Sequence, residues 1–188
     1  MYKRQTDPYT PLERKLELTR GCLAVMCSHP PDVLVLQTRS PLVTRDRDLL
    51  ARLPRVVVSV TVPTDDERVR RHLEPNSPSL ARRIETLASL RAAGIRTQAA
   101  VSPLLPCEPE QLAAKLEPVA DRVVIDDFFR GDGAGGSRSR AAIAQLRQLG
   151  FERWSRPGYA DSAIEIFRTV FGPNRVGISA EGFNDLGW

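Results

Sequence analysis

The chain has 188 residues, 41% of them hydrophobic, with 27 Lys and Arg against 23 Asp and Glu. That length suits one domain with a real core. No apolar run reaches the roughly 18 residues of a membrane span, and no signal-peptide pattern is present, so a cytoplasmic location with no membrane partner follows by default. The net charge of +4 is only weak support for a polyanionic partner. Nearly all the cations are arginine, a bias that more often reflects a GC-rich genome than nucleic-acid contacts. The three cysteines, Cys22, Cys27 and Cys107, make no disulfide framework and match no metal spacing. They read as ordinary buried or semi-buried thiols, and no metal ligand is assigned.

Residues 1–5 carry no structural logic and read as a non-native leader. Thr6 to Pro11 form a turn-rich loop. Thr10 is a good N-cap, with Pro11 at the first helical position and Glu13 three residues on, a capping-box arrangement. The helix it predicts runs to about Cys27, with Leu12, Leu16, Leu23 and Met26 near one face, and ends at His29-Pro30-Pro31. Residues 33–37 read as a buried strand ending in Thr38-Arg39-Ser40-Pro41. Thr44 then caps a short helix with Asp46 and Asp48 in its first turn and Leu49, Leu50 and Leu53 inward.

Residues 56–62, Val-Val-Val-Ser-Val-Thr-Val, are too apolar for a solvent-facing strand and read as buried on both faces, as in a parallel sheet. Parity puts Val58, Val60 and Val62 on one face and Val57, Ser59 and Thr61 on the other. That second face turns polar towards its C-terminal end, where ligands sit in parallel α/β folds. Against this, Ser59 and Thr61 could simply bond neighbouring backbone.

Thr64-Asp65-Asp66 opens a helix that stops before Pro75. Ser79 caps a helix over 80–93, with Leu80, Ile84, Leu87 and Leu90 at helical spacing and Gly94 closing it. A strand over 95–101 ends in Ser102-Pro103-Leu104-Leu105-Pro106. A helix over 109–116 and a strand over 122–126 follow, the latter ending in Asp126-Asp127-Phe128-Phe129. Helices over 141–149 and 161–171 and a last short strand over 176–179 complete residues 6–180. Residues 181–188 read as a tail, poorly ordered from Gly182. The alternation argues for a parallel sheet, as a three-quarter or full α/β barrel or an open doubly wound sheet. The first element is a helix with no strand before it, which suggests an N-terminally incomplete chain.

Polar residues recur where strands end: Thr38-Arg39-Ser40, then Ser59 and Thr61, Ser102, and Asp126 with Asp127. Barrel enzymes build sites on such a rim. Arg39 could clamp a carboxylate or phosphate, or instead bridge to Asp46 or Asp48. Asp126 and Asp127 suit a general base, a metal site or a sugar-hydroxyl binder, with turn capping as the bland competitor. Gly131-Asp132-Gly133-Ala134-Gly135-Gly136 satisfies G-x-G-x-x-G. Phe128-Phe129-Arg130 intervene before it, however, and no strand ending in an acid follows, so a flexible surface loop explains it better. His29 and His72 suggest no Ser-His-Asp or Cys-His pairing.

Several segments in order resemble one family. Thr6-Asp7-Pro8-Tyr9-Thr10-Pro11-Leu12-Glu13 is similar to the T-D-P-Y-x-P-x-E signature of radical S-adenosylmethionine proteins of the spore photoproduct lyase-like, "DNA repair photolyase" group. Thr38-Arg39-Ser40-Pro41-Leu42-Val43, Val58-Ser59-Val60-Thr61, Leu73-Glu74-Pro75-Asn76-Ser77-Pro78-Ser79 with Arg82-Arg83, Ala93-Gly94-Ile95 and Ser102-Pro103-Leu104-Leu105-Pro106 match as well. The resemblance covers roughly residues 6–130. It implies an α/β fold, a partial (β/α) barrel of the radical S-adenosylmethionine type, N-terminally truncated here. It also implies S-adenosylmethionine as cofactor and, in a full-length parent, a 4Fe–4S cluster at which that cofactor is cleaved to start radical chemistry, with a lyase as one outcome.

Residue by residue, Asp7 and Tyr9 fall in the loop that usually holds the methionyl amino group. Arg39 falls where relatives place a cation for the methionyl carboxylate. Ser59 falls where they contact the ribose, and the Ser102 segment lies near the adenine. With Thr61, these make the implied cofactor-binding set. The cluster motif C-x-x-x-C-x-x-C is absent, and Cys22, Cys27 and Cys107 do not substitute. The expectation is a fragment of a radical enzyme, inactive alone. The competing expectations are a non-catalytic α/β module binding a nucleotide or nucleic acid, and a different barrel enzyme using Asp126 and Asp127. No aromatic-and-basic stacking platform favours DNA.

Overall fold

A computed structural model of the chain describes residues 7–127, 137–156 and 158–185. Five strands form one parallel sheet: β1 Leu34–Thr38, β2 Val56–Thr61, β3 Arg96–Val101, β4 Arg122–Ile125 and β5 Val176–Ile178. Their spatial order is β1-β2-β3-β4-β5, the same as their chain order. Right-handed crossovers that always step in one direction leave their connections on one face of the sheet. A doubly wound sheet needs a reversal of strand order, and none occurs among the described residues. Among the described residues the sheet is therefore singly wound, and it is not closed.

The parity expected of β2 holds. Val56, Val58, Val60 and Val62 join the main core with Leu87 and Leu90, whereas Val57, Ser59 and Thr61 face the other way. All six residues of β2 are buried, so neither face meets water. The same parity puts Ala99 and Val101 of β3, and Val123 and Ile125 of β4, into the helix-side core. Gln98 and Arg122 consequently share the opposite face with Ser59.

The expected long first helix is two helices. α1 Glu13–Leu16 stops at Glu17, whose φ of 50° is left-handed, and α2 Leu18–Ser28 starts anew. Thr10 forms no capping box; Leu12 holds the cap position without a side-chain bond. The cause is Glu13. Its carboxylate turns forward to accept the amides of Thr19 (3.1 Å) and Arg20 (3.4 Å), so it caps α2 rather than α1. Leu12 and Leu16 are consequently exposed, while Leu23 is buried.

After β1, Ser40 rather than Thr44 provides the cap. Its hydroxyl accepts the Leu42 amide at 3.3 Å above a 3-10 turn, Pro41–Asp46. Thr44 donates back to the Pro41 carbonyl, and α3 Arg47–Leu50 follows without a side-chain cap. α4 Glu67–Leu73, capped by Asp66, and α5 Leu80–Ala92, capped by Ser79, form as expected, with Gly94 at φ 73° closing α5. α6 Pro109–Leu116 has the expected bounds; α7 Ser137–Gln148 and α8 Tyr159–Phe171 both begin before them. The glycine-rich stretch 131–136 lies outside the described residues.

The expected disordered tail is instead α9 Ser179–Asn184, up to the last described residue, Asp185. Gly182 explains it. A Cβ there would sit 2.5 Å from the Gly177 carbonyl carbon and 3.2 Å from a Val124 methyl, so only glycine lets α9 lie this close to β5 and β4. Arg122 fastens it by donating to the carbonyls of Gly182 (2.9 Å) and Asp185. α9 thus covers the β4–β5 end of the face that carries Ser59 and Gln98. Among the described residues, no helix is long and apolar enough to cross a membrane.

Candidate functional site

The C-terminal end of β1 is fixed by Asp7. One of its carboxylate oxygens accepts the Thr38 hydroxyl at 2.6 Å and the Tyr9 amide at 2.9 Å. The other accepts the Arg39 amide at 2.8 Å. Asp7 therefore latches the loop before α1 across the strand end.

Tyr9 turns inward. It is 3% exposed, and its hydroxyl donates to Asp46 at 2.9 Å. Asp46 is fully buried and takes Arg20 at 2.9 Å and Arg45 at 2.9 and 3.0 Å as well. Arg45 also reaches Glu13 at 2.9 Å. Burial alone would raise the Asp46 carboxyl, but the bonds from Arg45, Arg20 and Tyr9 outweigh it and hold the group below its ordinary 3.8. Burial and then the Asp46 charge push the Tyr9 phenol far up, so it stays a neutral donor.

Arg39 is half-exposed and pairs with neither Asp46 nor Asp48, which are taken by Arg20 and Arg45. Its Nε instead meets Glu74 Oε1 at 3.2 Å. Its Nη1 and Nη2 donate no hydrogen bond among the described residues. The other Glu74 oxygen accepts Arg83 Nη2 at 2.6 Å. Arg83 is completely buried and also donates to the carbonyls of Pro78 (3.0 Å) and Thr61 (3.1 Å). The end of β2 is thereby tied to the loop after α4.

On the face away from the α5-side core, the sheet register aligns Gln37, Ser59, Gln98 and Arg122 in one polar row. Gln98 and Ser59 are both fully buried, and the Gln98 amide donates to the Ser59 hydroxyl at 2.9 Å. Gln98 Oε1 is the one buried side-chain polar atom without a partner among the described residues. Such an orphan is rare and costs about 1–3 kcal/mol when left unmet. Thr61 is 3% exposed beside this row. Ser102 is half-buried just past β3. Asp126 is buried at the end of β4 and accepts the Ser179 hydroxyl at 2.9 Å, at the start of α9.

The structure thus gathers Asp7 and Arg39 at one rim, places Ser59 and Thr61 on the face opposite the α5-side core, and turns Tyr9 to the interior. Glu74, Arg83 and Gln98 were not anticipated as site residues. Gln98 carried a signal, being a polar residue at the same parity as Ser59 in an adjacent buried strand. Glu74 and Arg83 carried none beyond their place in the resemblance.

The cysteines lie in three unrelated settings. Cys22 is exposed, contrary to expectation. The Cys27 thiol bonds the Leu49 carbonyl, and Cys107 lies 3.6 Å from the Tyr159 hydroxyl. Burial pushes the Cys107 thiol up to about 12 against the lowering bond from Tyr159. Among the described residues, no three His, Cys, Asp or Glu gather to hold a metal. A separate groove of about 580 Å³, lined among others by Asp65, Cys107, Lys115, Trp154 and Tyr159, contains none of the expected site residues.

No protein-family model matches the chain. It is similar to an uncharacterized protein of Methanocaldococcus jannaschii, 34% identical over 101 residues, covering 54% of this chain and 38% of that protein. It is similar to an uncharacterized protein of Acidianus two-tailed virus, 34% identical over 73 residues, covering 38% of this chain and 24% of that one. An uncharacterized protein of Mycobacterium tuberculosis is 29% identical over 104 residues, 54% of this chain and 30% of that protein. The chain therefore spans well under half the length of each of these curated relatives.

Proposed function

We propose that this chain is the S-adenosylmethionine-binding part of a radical S-adenosylmethionine enzyme barrel, resembling the spore photoproduct lyase group. The observation that carries the reading is Arg39. It stands at the C-terminal rim of a singly wound parallel sheet, its amide fixed by Asp7, with neither terminal nitrogen of its guanidinium donating a hydrogen bond among the described residues. A planar fork so placed suits a carboxylate. The fit extends along the sheet face, where the unmet Gln98 Oε1 beside Ser59 accepts a hydroxyl or amine of a ligand. In this reading Asp7 and Tyr9 act by holding the rim: Asp7 fixes the end of β1, and Tyr9 anchors the loop on Asp46.

The cofactor, when bound, supplies the 5′-deoxyadenosyl group of radical initiation. The donor set for an iron–sulfur cluster is another matter. Thiolates in one place are what such clusters need. Cys22, Cys27 and Cys107 point to three different surroundings and do not fit, so this chain's own residues are assigned no part in holding one.

Isothermal titration of the 188-residue chain with S-adenosylmethionine tests the reading. Saturable binding is expected, and Arg39→Ala is expected to weaken it at least about tenfold, the loss of one charged hydrogen-bonding pair. Absence of binding by the wild-type chain, or an unchanged affinity in Arg39→Ala, would contradict it.

A further inference from the structure

Arg39 directly follows β1 and carries a long, flexible side chain, and fixing such a side chain is entropically costly. Glu74 lies against it. The Glu74 backbone is itself fixed, its amide donating to the Arg70 carbonyl at 2.7 Å and its carbonyl accepting Arg70 Nη1 at 3.0 Å and the Ser77 amide at 3.0 Å. Its side chain is held at the far oxygen by Arg83, which is buried and anchored on two backbone carbonyls. The near oxygen then meets Arg39 at Nε, 3.2 Å away. Nearby, Glu67 pairs with Arg70 at 2.6 Å, and the Asp7 carboxylate accepts the Tyr9 and Arg39 amides and the Thr38 hydroxyl. Of Arg39, Arg70 and Arg83, the arginines in contact with Glu74, Arg39 alone is substantially exposed, with 45% of its side chain accessible.

We infer that Glu74 is the positioning residue for Arg39, gripping its guanidinium side-on so that the terminal fork is presented ready-oriented to the carboxylate of a bound ligand. The inference rests on the reading of Arg39 as an anion-binding residue at the rim. Its distinct content is that Glu74, which touches no ligand, sets the affinity through preorganisation. Had Glu74 served only to neutralise Arg83, Arg39 would be as free with it as without it.

The test has two arms on the full chain. The first measures 15N relaxation of the Arg39 Nε–Hε group. In the wild type an order parameter approaching the rigid-backbone value of about 0.85 is expected, with exposed Arg52 below about 0.6. In Glu74→Gln, which retains an oxygen for Arg83, Arg39 is expected to fall to the Arg52 level. If Glu74→Gln folds poorly, the wild type decides alone: an Arg39 as mobile as Arg52 overturns the inference. The second arm titrates S-adenosylmethionine and 5′-methylthioadenosine, which lacks the carboxylate. Glu74→Gln is expected to weaken the first about tenfold and the second less than about twofold. Equal losses for both ligands, or none for the first, overturn the positioning role. A wild type that binds neither probe removes the cofactor reading, while the relaxation arm still decides whether Glu74 orders Arg39.

Discussion

Replacing Arg83 with methionine is expected to destabilise the chain by about 3–5 kcal/mol, the range for removing one partner of a buried ion pair. Methionine fills similar space, so the loss is not mainly a cavity. It arises because Glu74, only 13% exposed, loses its 2.6 Å partner while the carbonyls of Thr61 and Pro78 lose their donor. Burial already depresses the Arg83 pKa, which Glu74 opposes; the guanidinium is kept in the core by its partners rather than by solvent. Urea unfolding of the two chains reads the difference directly. A loss under about 1 kcal/mol, the scale of a surface ion pair, would show that the corner relaxes without Arg83. Arg83→Met combined with Glu74→Leu is expected to recover part of the loss, since no charge is then left unpaired.

The second large effect is expected at Asp46. Asp46→Asn keeps the shape but leaves Arg20 and Arg45 sharing no buried charge, and a loss of about 3 kcal/mol near neutral pH is expected. The pH dependence follows from the direction of the shifts. The folded carboxyls of Asp46 and Glu13 lie below their ordinary 3.8 and 4.5. For Glu13, burial pushes upward, and the Thr19 amide with Arg45 pulls further down. The unfolded chain therefore binds protons first as the pH falls, so this stabilisation is full above about 4.5 and drains away below it. The gap between wild type and Asp46→Asn is thus expected to be wide at pH 7 and narrower at pH 3 by thermal unfolding. Parallel profiles would remove the Asp46 cluster as the acid-sensitive element.

What was legible in the sequence was local. The parity of Val56–Thr61, the Ser79 cap of α5 and the bounds of α6 depend on spacing within one element, and each is found as expected. What failed was decided by distant partners. α1 and α2 read as one helix because the pattern is continuous, but Glu13 is claimed by Arg45, 32 residues away, and by the start of α2. The sequence from Gly182 reads as a loose tail, whereas Gly182 is what admits α9 against Gly177. The site followed the same division. Polar residues at strand ends were visible one by one, and so were Arg39 and Ser59. That Arg39 would choose Glu74 over Asp46 depended on Arg20 and Arg45 reaching Asp46 from other elements, which no local pattern states.

The measurement that bears most directly on the central claim is a crystal structure of this chain grown with S-adenosylmethionine. The account predicts the ligand at the C-terminal rim, its carboxylate within hydrogen-bonding distance of Arg39 Nη1 and Nη2 and the Glu74 contact to Nε retained. A ligand seated instead in the groove beside Cys107 and Trp154, or bound with Arg39 left in solvent, would contradict it.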